Sequence, residues 1–233
     1  MGQSGTVSQP YRSAVSEWHI IRNVIITLAS MKGGVAKTTS AIHLAAWLST
    51  RGPTALIDGD PNQSATRWAA RGNLAFPVIG VYKAASEARN FQHLVMDTKA
   101  RPESDELRDL SDGCDLLVIP TTPDALALEG MMLTIEALQK LRAANYRVLL
   151  TIVPPDPIPE GREARRALSD AGIPVFDRAI RRLIAFQRAV SDGVTVEQVR
   201  DPRSSLGALD YEHVGEQIEK IVAVSERRRS AVS

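Results

Sequence analysis

One cysteine, Cys114, stands in 233 residues. A single thiol excludes a disulfide framework, and with it any cysteine-rich zinc or iron–sulfur site within one chain. The four histidines (His19, His43, His93 and His213) are scattered without metal-ligand spacing,. No apolar run approaches the roughly 20 residues that span a bilayer, and no signal-type apolar stretch follows the start. The expectation is a soluble, cytoplasmic protein. Excess charge is lacking too, the net value being +1, so any contact with nucleic acid must come from a local patch. Lysine is scarce beside arginine, 6 against 22. Two of the six, Lys32 and Lys37, share one eight-residue glycine-containing segment, as if a compact ammonium were wanted there and a guanidinium fork were not.

What is present reads as one generous α/β domain, with 44% apolar residues to fill its core,. Residues 24–29 form a β-branched apolar run suited to a buried strand, and helical spacing follows over 40–50, stopped by Gly52-Pro53,. The unit then recurs. Strands are expected at 54–57, 77–81 (an edge), 94–96, 115–119, 147–153 and 174–176. Helices are expected at 65–71, 124–144, 160–171, 183–193 and 211–224. Continuous apolar strands alternating with helices predict a mostly parallel sheet with helices on both faces. Around this body, numbered 23–225, we place a flexible arm over 1–22 and a basic tail over 226–233. Trp47 and Trp68 fall on helices as packing residues, and Cys114 before a strand as a partly buried one.

The segment Lys32-Gly33-Gly34-Val35-Ala36-Lys37-Thr38-Thr39 lies between a buried strand and a helix start. Such a loop is an anion site: successive N–H groups converge and the helix dipole adds about half a positive charge. Gly33 and Gly34 let the backbone approach phosphate oxygens. Lys37 suits the β- and γ-phosphates, and the Thr38 hydroxyl suits Mg²⁺. Standard phosphate loops carry glycine where Met31 and Ala36 stand. The segment instead resembles the deviant Walker A loop of the ParA/MinD ATPases, Lys-Gly-Gly-x-x-Lys-Thr-Thr/Ser, with Ala36 replacing a glycine. If that position takes a positive φ, alanine costs about 1–2 kcal/mol there, a burden expected to fall on catalytic rate more than on binding.

The resemblance continues through Asp58-Gly59-Asp60-Pro61, similar to that family's first switch, and Leu94-Val95-Met96-Asp97, similar to its Walker B strand. It includes the stretch 118–130 before the long helix, and spans residues 24–199 in all. It implies a P-loop NTPase fold that binds ATP and Mg²⁺ and hydrolyses ATP weakly, under stimulation by a partner and DNA. Lys32 would reach the phosphates of a second subunit in an ATP-sandwiched homodimer, and Asp60 would position the attacking water. Thr38, Asp60 and Asp97 would serve the metal. After Asp97 the chain runs Thr98-Lys99-Ala100-Arg101-Pro102, unlike the family's usual continuation.

Membrane-associated members end in a bulky amphipathic helix, whereas this chain ends Ser225-Glu226-Arg227-Arg228-Arg229-Ser230-Ala231-Val232-Ser233, with no apolar face to insert,. Membrane attachment is therefore not expected. The chain resembles small ParA proteins, implying nonspecific DNA, association with the nucleoid, and a ParB-like or other small activator. The cargo would be a plasmid, chromosome or protein assembly. Residues 161–188 hold seven arginines against three acids, a basic patch able to meet phosphates. Within it we single out Arg178, Arg181, Arg182 and Arg188; a solvated helix face with internal ion pairs remains the other reading. Two further functions stay open on the same scaffold: a small-molecule ligase of the dethiobiotin or cobyrinate type, and a nucleotide-gated adaptor with negligible hydrolysis.

Overall fold

The structure, a computed structural model, describes residues 23–230. The arm placed over 1–22 and the last three residues of the tail lie outside the described residues. Six strands form one sheet: β1 (Val24–Ser30), β2 (Thr54–Gly59), β3 (Val78–Gly80), β4 (His93–Ala100), β5 (Leu116–Thr121) and β6 (Tyr146–Leu150). Their order is β3-β2-β4-β1-β5-β6 and every pairing is parallel. β1 therefore has β4 on one side and β5 on the other. Its carboxyl end opens into the crevice where connections leave in opposite directions, the usual ligand position in such sheets.

The period of two along each strand divides the core. Leu116 and Val118 face a cluster with α1 (Lys37–Ser49), α2 (Ser64–Ala69), α7 (Ile184–Asp192) and α8 (Ser204–Ser230). Leu117 and Ile119 face the opposite cluster, closed by α4 (Ser104–Asp112), α5 (Ala125–Lys140) and α6 (Glu160–Asp170). The short α3 (Val81–Glu87) borders a smaller cluster around Ala55, Ile57 and Ile79. Burial on both faces is why the strands read as continuous apolar runs. Trp47 and Trp68 are core residues, and the Trp68 indole N–H donates to the Val194 carbonyl at 3.0 Å.

Helix α3 was not expected, and the strand expected at 147–153 stops at Leu150, before left-handed Ile152; three further segments differ from expectation. Helix α4 was not expected: its nine residues turn only Leu107, Leu110 and Ser111 toward the core, and its start is set by a reciprocal capping box between Glu103 and Glu106,. The expected strand at 174–176 is one isolated bridge, Val148 to Val175. Pro174 has no N–H to donate. This segment covers the outer edge of β6 with intermittent bonds, among them Val148 N–H to Pro174 O and Ile180 N–H to Leu150 O, both 2.8 Å,. Helix α8 begins seven residues before the expected 211 and stays helical to Ser230, into the span read as a tail.

Candidate functional site

Strand β1 delivers the chain to Ser30, whose hydroxyl donates to the Lys32 carbonyl at 3.0 Å and starts the turn. Gly34 takes φ +80° and Ala36 φ +58°, so the left-handed conformation considered for Ala36 is the one it adopts. A Cβ built on Gly33 or Gly34 would meet nothing within 4 Å, which leaves the space above the loop clear for a ligand. Helix α1 then starts with no side-chain cap and no acidic residue in its first turn. Its amino-terminal N–H groups and the positive end of its dipole are left for an external anion.

Lys37, the first residue of α1, turns its buried ammonium to Asp97 of β4, 3.1 Å from Oδ1, and also donates to the Thr98 carbonyl. The Thr38 hydroxyl donates to the other Asp97 oxygen at 2.6 Å. Burial pushes the Asp97 carboxyl above its ordinary range, against the pull of Lys37 and Thr38. Strand β4 carries an extra residue at this point: Leu28 pairs with Asp97, but Ser30 pairs with Ala100. Such a bulge bends the strand and re-aims its groups. It is followed by Arg101 at φ +59°, whose N–H donates to Ser30 O at 2.9 Å.

Asp60 is not brought to this cluster. It is half-buried and accepts the Asn62 N–H at 2.9 Å, closing a local turn. Asp58 instead anchors residues 58–66, accepting from the Thr66 N–H at 2.8 Å and the Thr66 hydroxyl at 2.7 Å. Lys32 points elsewhere again, to Asp124 at 3.1 Å, where both side chains are well exposed. Sequence reasoning missed Asp124, although an aspartate immediately before an apolar helical run is a cap signal. It accepts from Ala127 N–H as the N-cap of α5. The Thr122 hydroxyl above all, then Lys32 and the Ala127 amide, hold its carboxyl below the usual range. Among the described residues no group of three or more His, Cys, Asp or Glu could cage a metal. Thr38 and Asp97 could supply one side of a Mg²⁺ shell, the remainder coming from water and phosphate as that ion prefers.

A cavity of ≈ 350 Å³ adjoins the loop, walled by Gly34, Ala36, Ile152, Ile180, Phe186 and Tyr211. It is apolar and large enough for a purine base and sugar. A second groove, of ≈ 510 Å³, is lined by Arg162, Arg165, Arg178, Arg181, Arg182 and Arg203, against Asp156, Asp177 and Asp210. Three of the four arginines singled out in the sequence are engaged internally. Arg178 and Arg181 both lie 2.8 Å from fully buried Asp210, and Arg188 lies 2.8 Å from Asp201. The exposed Arg182 takes part in no ion pair among the described residues. Cys114 is a core residue whose thiol burial pushes up to about 11.

Residues 26–196 match the CobQ/CobB/MinD/ParA nucleotide binding domain. The chain belongs to that family. The maintenance of carboxysome distribution protein A of Gloeobacter kilaueensis is 33% identical over 203 residues, which is 84% of this chain and 94% of that protein. The protein of the same name from Halothiobacillus neapolitanus is 27% identical over 187 residues, 75% of this chain and 87% of the relative. The fold is shared with a plasmid partition protein of Borrelia burgdorferi B31 bound to AMPPNP. Its TM-score is 0.64 at 19% identity, with 88% of this chain and 100% of that one covered. A MinD/ParA-type α/β domain thus carries residues 32–39 at the carboxyl end of β1. No helix among the described residues is long and apolar enough to cross a membrane.

Proposed function

We propose that this chain is a ParA-like ATPase that closes as a homodimer over two ATP molecules, binds DNA without sequence preference, and positions a cargo with a small ParB-like activator. The reading rests on the two lysines of the loop facing opposite ways. Lys37 is directed inward to the Thr38–Asp97 pair, beside an uncapped helix start. Lys32 is directed outward to an exposed carboxylate, where an approaching second copy would find it. The carboxysome-distribution relatives and the plasmid partition protein make a protein assembly or a plasmid the cargo classes to try first.

In this mechanism the Gly34–Thr39 backbone and the α1 dipole hold the triphosphate, and the cavity at Ile152 and Phe186 takes the base. Mg²⁺, held by Thr38 and Asp97, would spread charge between phosphate oxygens. Lys37 stabilises charge on the phosphoryl group within its own subunit, and Lys32 does so across the dimer. Asp60 orients the water that attacks the γ-phosphorus as the bond to the β-phosphate oxygen breaks, leaving ADP and phosphate. This requires Asp60 to leave the turn it closes with Asn62, a movement suited to a switch segment. For DNA, Arg182 and the groove beside it supply the cationic face. One Asp210 neutralises only one of its two arginines, and the six groove arginines outnumber the three carboxylates by three,.

Light scattering with and without Mg-ATP tests the central claim. Dimer should form only with nucleotide and persist in Asp60→Ala; a monomer under both conditions would refute the sandwich. DNA retention over a salt series tests the second part, with binding expected to fall steeply as salt rises.

A further inference from the structure

The loop's apex is held from behind by a side chain 116 positions away. Thr151, fully buried just past β6, sends its hydroxyl to the Val35 carbonyl at 3.0 Å and lies 3.2 Å from the Thr121 carbonyl. The hydroxyl has a single proton, and Val35 is the nearer acceptor. Val35 is itself 2% exposed, so its carbonyl has no water to turn to. In a trans peptide, C=O and N–H point in opposite directions. Drawing the Val35 carbonyl into the protein therefore turns the Ala36 N–H out, toward the space that Gly33 and Gly34 leave open.

The next residue makes that orientation difficult to maintain. Ala36 sits at φ +58°, ψ 31° with a Cβ that disfavours this region,. Strained residues persist where their surroundings over-determine them. Here the two restraints are the Thr151 hydroxyl on one side and the Ser40 N–H, which donates to Ala36 O at 2.9 Å, on the other. Ile152, next to Thr151, is also left-handed at φ +51°, unusual for a β-branched residue, and it walls the adjoining cavity,. One short segment after β6 thus touches both the loop apex and the cavity beside it.

We propose that Thr151 is the positioning residue of the phosphate loop: its hydroxyl fixes the Val35–Ala36 peptide plane so that a non-glycine loop still presents the Ala36 N–H to a nucleotide phosphate. The proposal rests on the reading of residues 32–39 as the ATP site. It assigns Thr151 no contact with nucleotide.

The test is Mg-ATP affinity by calorimetry for the wild-type chain and the variants Thr151→Val, Thr151→Ser, Ala36→Gly and Thr151→Val/Ala36→Gly, with Lys37→Ala as the loop control. Thr151→Val, isosteric but without the hydroxyl, should weaken ATP about tenfold, and Thr151→Ser should restore it to within about twofold. Glycine at 36 removes the strain that the clamp opposes. In that background Thr151→Val should therefore cost only about twofold, a coupling that a merely structural threonine would not show. Wild-type affinity in Thr151→Val, or a tenfold loss undiminished by Ala36→Gly, overturns the proposal and leaves the loop reading standing. Absence of ATP binding by the wild-type chain overturns both. A second measurement needs no substitution. The Ala36 amide proton should move downfield on addition of Mg-ATP, and an Ala36 amide unmoved by saturating nucleotide overturns the proposal.

Discussion

Lys32 Nζ and Asp124 Oδ1 stand 3.1 Å apart across 92 residues of sequence, joining the phosphate loop to the first turn of α5. The same carboxylate caps α5, accepts the Thr122 hydroxyl and holds Lys32 within its own subunit. An exposed pair of this kind contributes little stability, of the order of 0–1 kcal/mol. Its importance lies in where it keeps the ammonium. Replacing Asp124 by Ser retains a capping oxygen and removes the charge. Asp124→Ser should change the melting temperature little and lower the ATP concentration at which dimers form, as read by light scattering. An unchanged or raised ATP requirement would show that the pair does not restrain Lys32.

Ala36 lies in the left-handed region where glycine is at ease. Ala36→Gly removes about 1–2 kcal/mol of strain and returns part of it as unfolded-chain entropy. The expected net gain is about 0.5–1 kcal/mol in urea unfolding. A destabilised variant would mean that the Ala36 methyl packs favourably enough to offset its backbone.

His43 supplies the pH dependence. It stacks on Tyr211 with centroids 4.7 Å apart, its Nδ1–H donates to Thr39 O at 2.7 Å, and Nε2 accepts the Val196 N–H at 2.9 Å. Burial lowers its pKa from 6.5 to about 4, opposed by the Thr39 bond. A proton is therefore taken up more readily by the unfolded chain. The stability due to neutral His43 is complete above 6.5 and declines as pH falls through 4, by about 3 kcal/mol in all. Urea unfolding between pH 7 and 4 should show this decline, and His43→Phe should flatten it; an equal slope in the variant would assign the acid loss to other groups.

The arginines divide by what they hold. Arg181→Ala removes two hydrogen bonds to fully buried Asp210, which keeps Arg178 as its partner, and should cost about 2 kcal/mol. Arg182→Ala breaks no ion pair among the described residues and should stay within about 0.5 kcal/mol of wild type, while reducing DNA retention and the salt slope by about one phosphate contact. Equal thermal melts for the two variants, or undiminished DNA retention in Arg182→Ala, would contradict this division.

Much of this protein is determined by local sequence. The apolar runs of β1, β2 and β5 are legible because both faces of a parallel strand are buried. The turn over 32–39 is legible because glycines stand between a buried apolar run and a helical one, where β1 ends and α1 begins. Helix α4 was not, because its nine residues carry only two leucines among charges and its amino end depends on Glu103 and Glu106 capping each other. The tertiary structure decided which distant groups meet. Lys37 finds Asp97 across 60 residues, Val35 finds Thr151 across 116, and Arg181 finds Asp210 across 29. No period or spacing encodes these pairs. They arise because strand order places the ends of β4, β5 and β6 around the end of β1, and because a buried carboxylate or carbonyl takes whichever donor the packing brings within reach. The basic patch shows the consequence. Its charge could be counted along the chain, but only the fold shows that Asp210 holds two of its arginines and that Arg182 stands clear.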